Sequence, residues 1–206
     1  AKITQESFTA PKSEFPIEAI SDPSDPRIKA VAELDAELFG AHKSLNVDDF
    51  TKIIQRGGIV FTQKDSRGKI ISEATLVLQP DPLAETGLER QLPSWLGYCD
   101  GAAVSREYQG LGLQKKLLQA REYAAKAAGK EAIGATVRQG NLASIKSMLA
   151  SGYVILADAP QFYGPTPEDD RIFMLKTFQT QSPLTISDSR LDGIHAPNDK
   201  ITDITS

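Results

Sequence analysis

The residues with the clearest chemical potential lie in one short run. Gln109, Gly110, Leu111, Gly112, Leu113, Gln114 and Lys115 stand where an apolar stretch gives way to a segment with helical spacing. Glycine lets backbone come close to a ligand, and the first N–H groups of a helix favour negative charge. A strand, a glycine-containing turn and a helix therefore predict a cradle for a phosphate, with Lys115 adding a charge-assisted contact. The two common nucleotide loops lose ground. Gly-x-x-x-x-Gly-Lys-Ser/Thr does not occur, and Lys115 stands where Gly-x-Gly-x-x-Gly needs its third glycine.

Such a cradle needs a strand that ends at it and a helix that starts there. Residues 96–104 read as that strand. Leu113, Leu117, Ala120 and Ala124 recur at helical spacing, and Gly129 is a natural stop. Residues 132–137 form a second strand. Asn141 caps a second helix carrying Ile145, Met148 and Leu149, which Gly152 ends. Strand–helix–strand–helix order favours a parallel strand pair with the ligand at the strands' carboxyl ends.

The preceding elements read in the same way. Residues 17–20 alternate as a strand. Asp25-Pro26 starts a helix with Val31, Leu34 and Leu38 on its apolar stripe, and Asn46 with Asp49 starts another before Phe50, Ile53 and Ile54. Gly57-Gly58 ends it. Residues 59–62 and 69–78 form a hairpin across Asp65, Ser66, Arg67 and Gly68. Residues 80–94 are a long connection, read as a flap anchored by Leu83, Leu88 and Leu92, or as an insertion without a role. A strand follows Tyr153 through Leu156, then a loop over 160–165 and a last strand over 171–178. The domain is expected over 15–178, with a loose arm at 1–14 and a polar tail at 179–206.

At this point the sequence resembles the GNAT-type acyl-CoA N-acyltransferase family. That family's phosphate motif is Gln/Arg-x-x-Gly-x-Gly/Ala, and Gln109, Gly112 and Gln114 occupy its places, with Gln114 in place of the small residue. A second motif has Asn, often Tyr seven residues later, then Gly-Phe or Gly-Tyr. Asn141, Met148 and Gly152-Tyr153 keep that spacing, with Met148 in the tyrosine's place. The match covers residues 96–153. The resemblance implies an α/β fold with a mixed, mostly antiparallel central sheet, a parallel strand pair at the cofactor site and flanking helices. It also implies acetyl-CoA as co-substrate, bound along Ala102, Ala103 and Val104, by the turn from Gln109 through Lys115, and near Asn141, Ser144 and Met148.

Acyl transfer from a thioester to an amine needs a held carrier, a neutral amine, a stabilised oxyanion and a released thiolate. An alkylammonium has a pKa of about 10.4, so only about one in two thousand is neutral at pH 7. A carboxylate that removes its proton answers this need. Asp100 is the candidate base; the alternative is an Asp paired with a nearby Arg or Lys, or simply exposed. Regular alternation would put Asp100 on the face of Tyr98 and Ala102, and a bulge would reverse that parity. Oxyanion stabilisation falls to a backbone N–H near Ala102. Met148 cannot donate a proton, so Tyr153, Ser144 or water is left to protonate the thiolate, and Met148 itself reads as a pocket wall. A thiol pKa of about 8.5 makes that need small. Tyr98, Trp95, Phe162 and Tyr163 either line a substrate pocket or pack in the core. Glu168, Asp169 and Asp170 either attract a cationic substrate or form a solvated loop that pairs with Arg171.

Composition narrows the alternatives. The chain has 206 residues, 40% of them hydrophobic, enough for one ordinary domain. A net charge of −4 argues against a nucleic-acid partner that relies on a basic surface. One cysteine, Cys99, permits no intrachain disulfide and fits a reducing cytoplasm. No apolar run approaches the roughly 20 residues that span a bilayer, and the first residues lack a secretion signal's apolar core. His42 and His195 stand alone, so no metal site is expected. The expected activity is transfer of an acetyl group from acetyl-CoA to a primary amine of a small molecule or protein, with no membrane partner. Edge strands and the tail are compatible with a homodimer. The alternative is a CoA-binding sensor or interaction module with little turnover.

Overall fold

Period-two and period-3.6 patterns in the chain resolve into seven strands and four helices in the computed structural model, which describes residues 14–40, 43–80, 92–159 and 170–178. β1 (Ile17–Ile20), α1 (Arg27–Phe39), α2 (Val47–Gln55), β2 (Ile59–Lys64) and β3 (Ile70–Val77) come first. β4 (Leu96–Val104), α3 (Leu113–Ala127), β5 (Ala132–Arg138), α4 (Leu142–Ala150), β6 (Val154–Ala159) and β7 (Arg171–Thr177) follow. The expected arm, save Glu14, the tail, and the flap leucines Leu83 and Leu88 lie outside the described residues. Leu92 is buried against Leu96 and Val77.

The strands form one sheet in the order β1-β2-β3-β4-β5-β7-β6. β4 and β5 pair in parallel; the other neighbours are antiparallel. This is the mixed sheet with one parallel pair that the sequence predicts. Alternation sorts side chains between two apolar layers. On β2, Val60 joins Ile28, Val31, Leu34, Phe50 and Ile54 of α1 and α2, while Phe61 joins Leu117, Leu118, Ile145 and Met148 of α3 and α4. Helices on both faces leave every residue of β3 buried, including Ser72, Glu73 and Thr75.

Local chemistry sets the helix starts. α1 begins at Arg27 after Pro26, and the Asp25 carboxylate accepts the Arg27 N–H at 2.8 Å. α2 has a full capping box. Asn46 Oδ1 accepts the N–H groups of Asp48 and Asp49 at 2.8 and 3.1 Å, and Asp49 Oδ2 accepts the Asn46 N–H at 2.9 Å. Asn46→Ala is expected to lower stability by about 1 kcal/mol in urea denaturation. A change inside experimental error would show that the box contributes nothing.

One local expectation differs, and two details are added. Leu149, read as part of the inward face of α4, is exposed, because the buried stripe there is Ile145 and Met148. A short 3-10 turn, Arg106–Tyr108, precedes the glycine run; Tyr108 anchors it by an edge-on contact with Phe15 and a 3.3 Å bond to Asp65. Tyr98 is fully buried, its hydroxyl 2.9 Å from Thr136 Oγ1, so it supports the cleft from behind.

Candidate active site

The parallel pairing of β4 with β5 runs only from Leu96↔Ala132 to Cys99↔Ala135. Past that point β5 continues to Arg138 on its β7 side, and β4 continues to Val104 on its β3 side. The two strands part there and open a fork. Its cause is visible in the register of β4 with β3. Ala74 faces Ala102 and Leu76 faces Cys99, so Asp100 and Gly101 together oppose Thr75. Two residues against one is a β-bulge, which bends and twists its strand. The bulge breaks the alternation: Ala102 packs with Cys99 on the α3 face, not with Tyr98. The regular-strand expectation that Tyr98, Asp100 and Ala102 share one face is thereby corrected.

A cleft of about 210 Å³ occupies the fork. Asp100, Gly101 and Ala102 form one wall, and Thr136, Val137 and Arg138 the other. Asn141, Ser144 and Met148 of α4 close one side, and Gln114 and Arg121 reach in from α3. A trough of about 620 Å³ continues from it, sharing Ala102, Gln114 and Asn141 with the cleft. Ala103, Val104, Gln109, Gly110, Gly112, Leu113 and Lys115 line it.

The glycine run has the geometry of a cradle. Gly110 and Gly112 have φ of +82° and +75°, a region that L side chains rarely adopt, and a Cβ on either would meet nothing within 4 Å. Gly112 is the N-cap of α3 and brings no side-chain cap. The first-turn N–H groups of α3 are therefore left for a ligand beside the trough. Gln109 Nε2 donates to the Val104 carbonyl at 3.2 Å and ties the turn to the end of β4. Asn141 Oδ1 accepts the Ser144 N–H at 3.1 Å and caps α4. Lys115 and Arg106 add exposed positive charge along the trough.

Two of the residues that the motifs single out stand apart from these walls. Leu111 is 55% exposed and lines neither cleft nor trough. Tyr153 is 2% exposed, with its hydroxyl buried beside Cys99 and Glu122 in the α3-side core. Burial, then the neighbouring Cys99 and Glu122, raise its proton affinity far above a usual phenol. It does not reach the cleft. Ser144 does, as does Met148, whose side chain is both wall and core. Cys99 is buried, and desolvation pushes its thiol up. Trp95 packs partly buried beside Leu96 and Phe173, and Asp170 precedes β7. Phe162, Tyr163, Glu168, Asp169 and both histidines lie outside the described residues. Among the described residues no group of three or more His, Cys, Asp or Glu is placed to hold a metal ion. No helix there is long and apolar enough to cross a membrane.

Behind Asp100 lies an acidic group that motif reading does not reach. Glu73 of β3 is 1% exposed and Asp35 of α1 is 4% exposed. Asp35 Oδ2 accepts the Leu45 N–H at 2.6 Å, yet burial, with the nearby Asp100 charge, pushes its pKa up to about 6. Burial first, then Asp35, push Glu73 well above the usual carboxylate range, against the pull of Arg121. Arg121 of α3, 5% exposed, donates through Nη1 to the Gly101 carbonyl at 3.1 Å and approaches the Thr75 carbonyl at 3.5 Å. It thus plugs the bulge from below. These residues carry no recognisable spacing; only an acid in a central strand, and an Arg on the inner face of α3, signal them. Phe39 of α1, 46% exposed, borders both cleft and trough and is likewise invisible to motif spacing.

The raised acids carry a stability sign. A folded pKa above the unfolded one gives stability that is complete below the unfolded value and is lost as pH rises through the folded one. For Asp35 that window runs from about 3.8 to about 6, and for Glu73 from about 4.5 upward. Glu73→Gln, which stays neutral, is expected to raise the melting temperature at pH 8 by several degrees while changing it little at pH 4.5. Equal shifts at both pH values would contradict the assignment.

A model of the acetyltransferase (GNAT) family matches residues 24–153. No curated protein matches the sequence. Several solved structures share the fold. The NatC complex bound to Gag peptide and CoA contains a chain 15% identical, aligned over 81% of this chain and all of that one, with TM-score 0.63. The acetyltransferase-type protein yncA from Salmonella typhimurium, solved with acetyl-CoA, is 20% identical over 84% of this chain and 98% of its own, with TM-score 0.60. The ribosomal-protein-S18-alanine N-acetyltransferase of Escherichia coli is 15% identical over 82% and 96%, with TM-score 0.62. At these identities the likeness to solved structures is one of fold.

Proposed function

The chain belongs to the acetyltransferase (GNAT) family, and on that footing we propose that it moves the acetyl group of acetyl-CoA to a primary amine of a small molecule or of a protein. The observation that carries this reading is the fork between β4 and β5, opening directly onto the uncapped start of α3. The residues present fit CoA. Gly110 and Gly112 leave open space where a Cβ would stand, the first-turn N–H groups of α3 suit a pyrophosphate, and Lys115 and Arg106 suit its charge. Past Cys99, β4 has no β5 partner, so its edge can bond an extended arm as a strand would.

Acetyl-CoA supplies the thioester acetyl group. The chain's own part is to hold, orient and move one proton. Asp100, on the bulge and on the cleft wall, takes the proton of the acceptor ammonium. A backbone N–H of the unpaired edge near Ala102 faces the developing negative oxygen. Tyr153 receives no acid role here, because its hydroxyl is buried away from the cleft. Ser144 or water serves the thiolate, which needs little protonation with a thiol pKa of about 8.5. The lone cysteine fits a reducing compartment, and the cytoplasm is the proposed location.

Calorimetric titration with acetyl-CoA and CoA, against ATP and NAD, tests the reading. Micromolar binding of the CoA species alone, followed by turnover in an amine panel, supports it. Binding with no turnover on any amine favours a CoA-binding sensor or interaction module. A folded protein that ignores CoA ends both.

A further inference from the structure

The β5 wall of the fork carries a cation for which the fold supplies no partner. Along β5, Val137 turns into the α3-side core with Leu118 and Met148, so Thr136 and Arg138 take the other face. Thr136 marks that face. Its Oγ1 meets the Tyr98 hydroxyl at 2.9 Å, and it stands across from Phe173 of β7, which packs with Tyr98. Arg138 ends the same ladder, directly across from Arg171. Cross-strand neighbours share a face, and like charges placed so repel. The Arg171 guanidinium is engaged, donating to the Asp170 carbonyl at 3.1 Å. The acid of β6 is turned away: Asp158 stands across from Ile172, on the α3-side face, where Gln139 Nε2 donates to it at 3.0 Å. Arg138 is exposed and borders the cleft, and its guanidinium makes no hydrogen bond or ion pair with the described residues. An anion beside it relieves the repulsion, and the planar Arg fork suits a carboxylate.

We propose that Arg138 selects the acceptor, a primary amine that carries a carboxylate a few bonds from its nitrogen. The inference rests on the amine-acetylation reading and names the acceptor class for it. The cleft has opposite charges on its two walls, Asp100 on β4 and Arg138 on β5. Asp100 is one residue past the last parallel rung, Cys99↔Ala135, and Arg138 is three past it. That offset is roughly 7 Å along the strands. An ammonium at Asp100 and a carboxylate at Arg138 are then two ends of one small molecule, or the first amine and the acidic second side chain of a peptide. Phe39, 46% exposed on the α1 side, borders the same cleft and covers the stem between them. A dianionic phosphate fits less well, because its second charge faces Asp100 across a cleft of about 210 Å³. A diamine fits worst, since it sets an ammonium against Arg138.

The test compares kcat/KM for paired acceptors in the full chain at saturating acetyl-CoA. Free α-amino acids, γ-aminobutyrate and peptides with an acidic second residue are each set against the matching carboxamide. The wild type is expected to prefer the carboxylate by about tenfold or more in at least one pair, and the preference shrinks as salt rises. Arg138→Gln is expected to lose most of that preference. Arg138→Lys is expected to keep part of it, because lysine retains the charge without the fork. The pair that shows the preference separates a free amino acid from a peptide as the source. Calorimetric titration of the same acceptors into the protein–CoA complex reads the site without turnover: the wild type binds the carboxylate form more tightly, and Arg138→Gln does not. Equal kcat/KM and equal affinity for carboxylate and carboxamide in every pair overturn the proposal, as does a preference that Arg138→Gln leaves intact. A wild type that acetylates no amine ends the amine reading instead, and the titration still decides whether Arg138 takes the carboxylate.

Discussion

Asp100→Asn is expected to lower kcat/KM by a hundredfold or more at pH 7 while acetyl-CoA binding stays within about threefold. General-base catalysis contributes typically ~10²–10⁴, and the requirement is severe for an alkylammonium, nearly all of which is charged at neutral pH. The substitution preserves size and adds no charge, so the bulge and its Arg121 contact stay intact. A second signature separates chemistry from structure. The loss shrinks as pH rises toward the amine's own pKa, since solution then supplies the neutral form. A rate loss independent of pH, or no loss, would remove Asp100 from the reaction.

The second large effect is on the carrier. Gly112→Glu is expected to weaken acetyl-CoA binding by about a hundredfold or more, roughly 3 kcal/mol. The site has space for the new side chain, since nothing lies within 4 Å of a Cβ there. In the proposed cradle that space is where the pyrophosphate would lie, and the new carboxylate would face it with like charge. Gly112 also has φ of +75°, so the variant carries about 1 kcal/mol of backbone strain. Gly112→Ala has the same strain without the charge and serves as the control. Titration calorimetry of both variants decides. Equal affinities for Glu and Ala would mean that the cradle lies elsewhere.

Much of this architecture is legible in the sequence because its signals are local. Asn46 with Asp49, and Asn141 before Leu142, each mark a helix start through hydrogen bonds made within three residues, and Gly112 marks another through its left-handed backbone. Strand boundaries at 96–104 and the hairpin over 59–78 follow from patterns a few residues long. The glycine turn before α3 is readable for the same reason. The bulge is not, because it depends on how β4 registers against Thr75, a residue 25 positions or more upstream. Glu73 and Asp35 escape notice likewise. Each looks like any other acid until β3 is covered on both faces and α1 is laid over it. Tyr153 shows the converse. Its motif spacing is kept, but the side chain turns into the α3-side core.

The fork also has a mechanical meaning. Among the described residues, the strand pairing that joins the leaf β1-β2-β3-β4 to the leaf β5-β7-β6 is the four register pairs from Leu96↔Ala132 to Cys99↔Ala135. A molecule lying extended between the leaves supplies the missing rungs and staples them together. Whatever binds only the native form raises its stability by mass action, so such a molecule is expected to make the joint between the two half-sheets firmer in step with its concentration relative to its Kd.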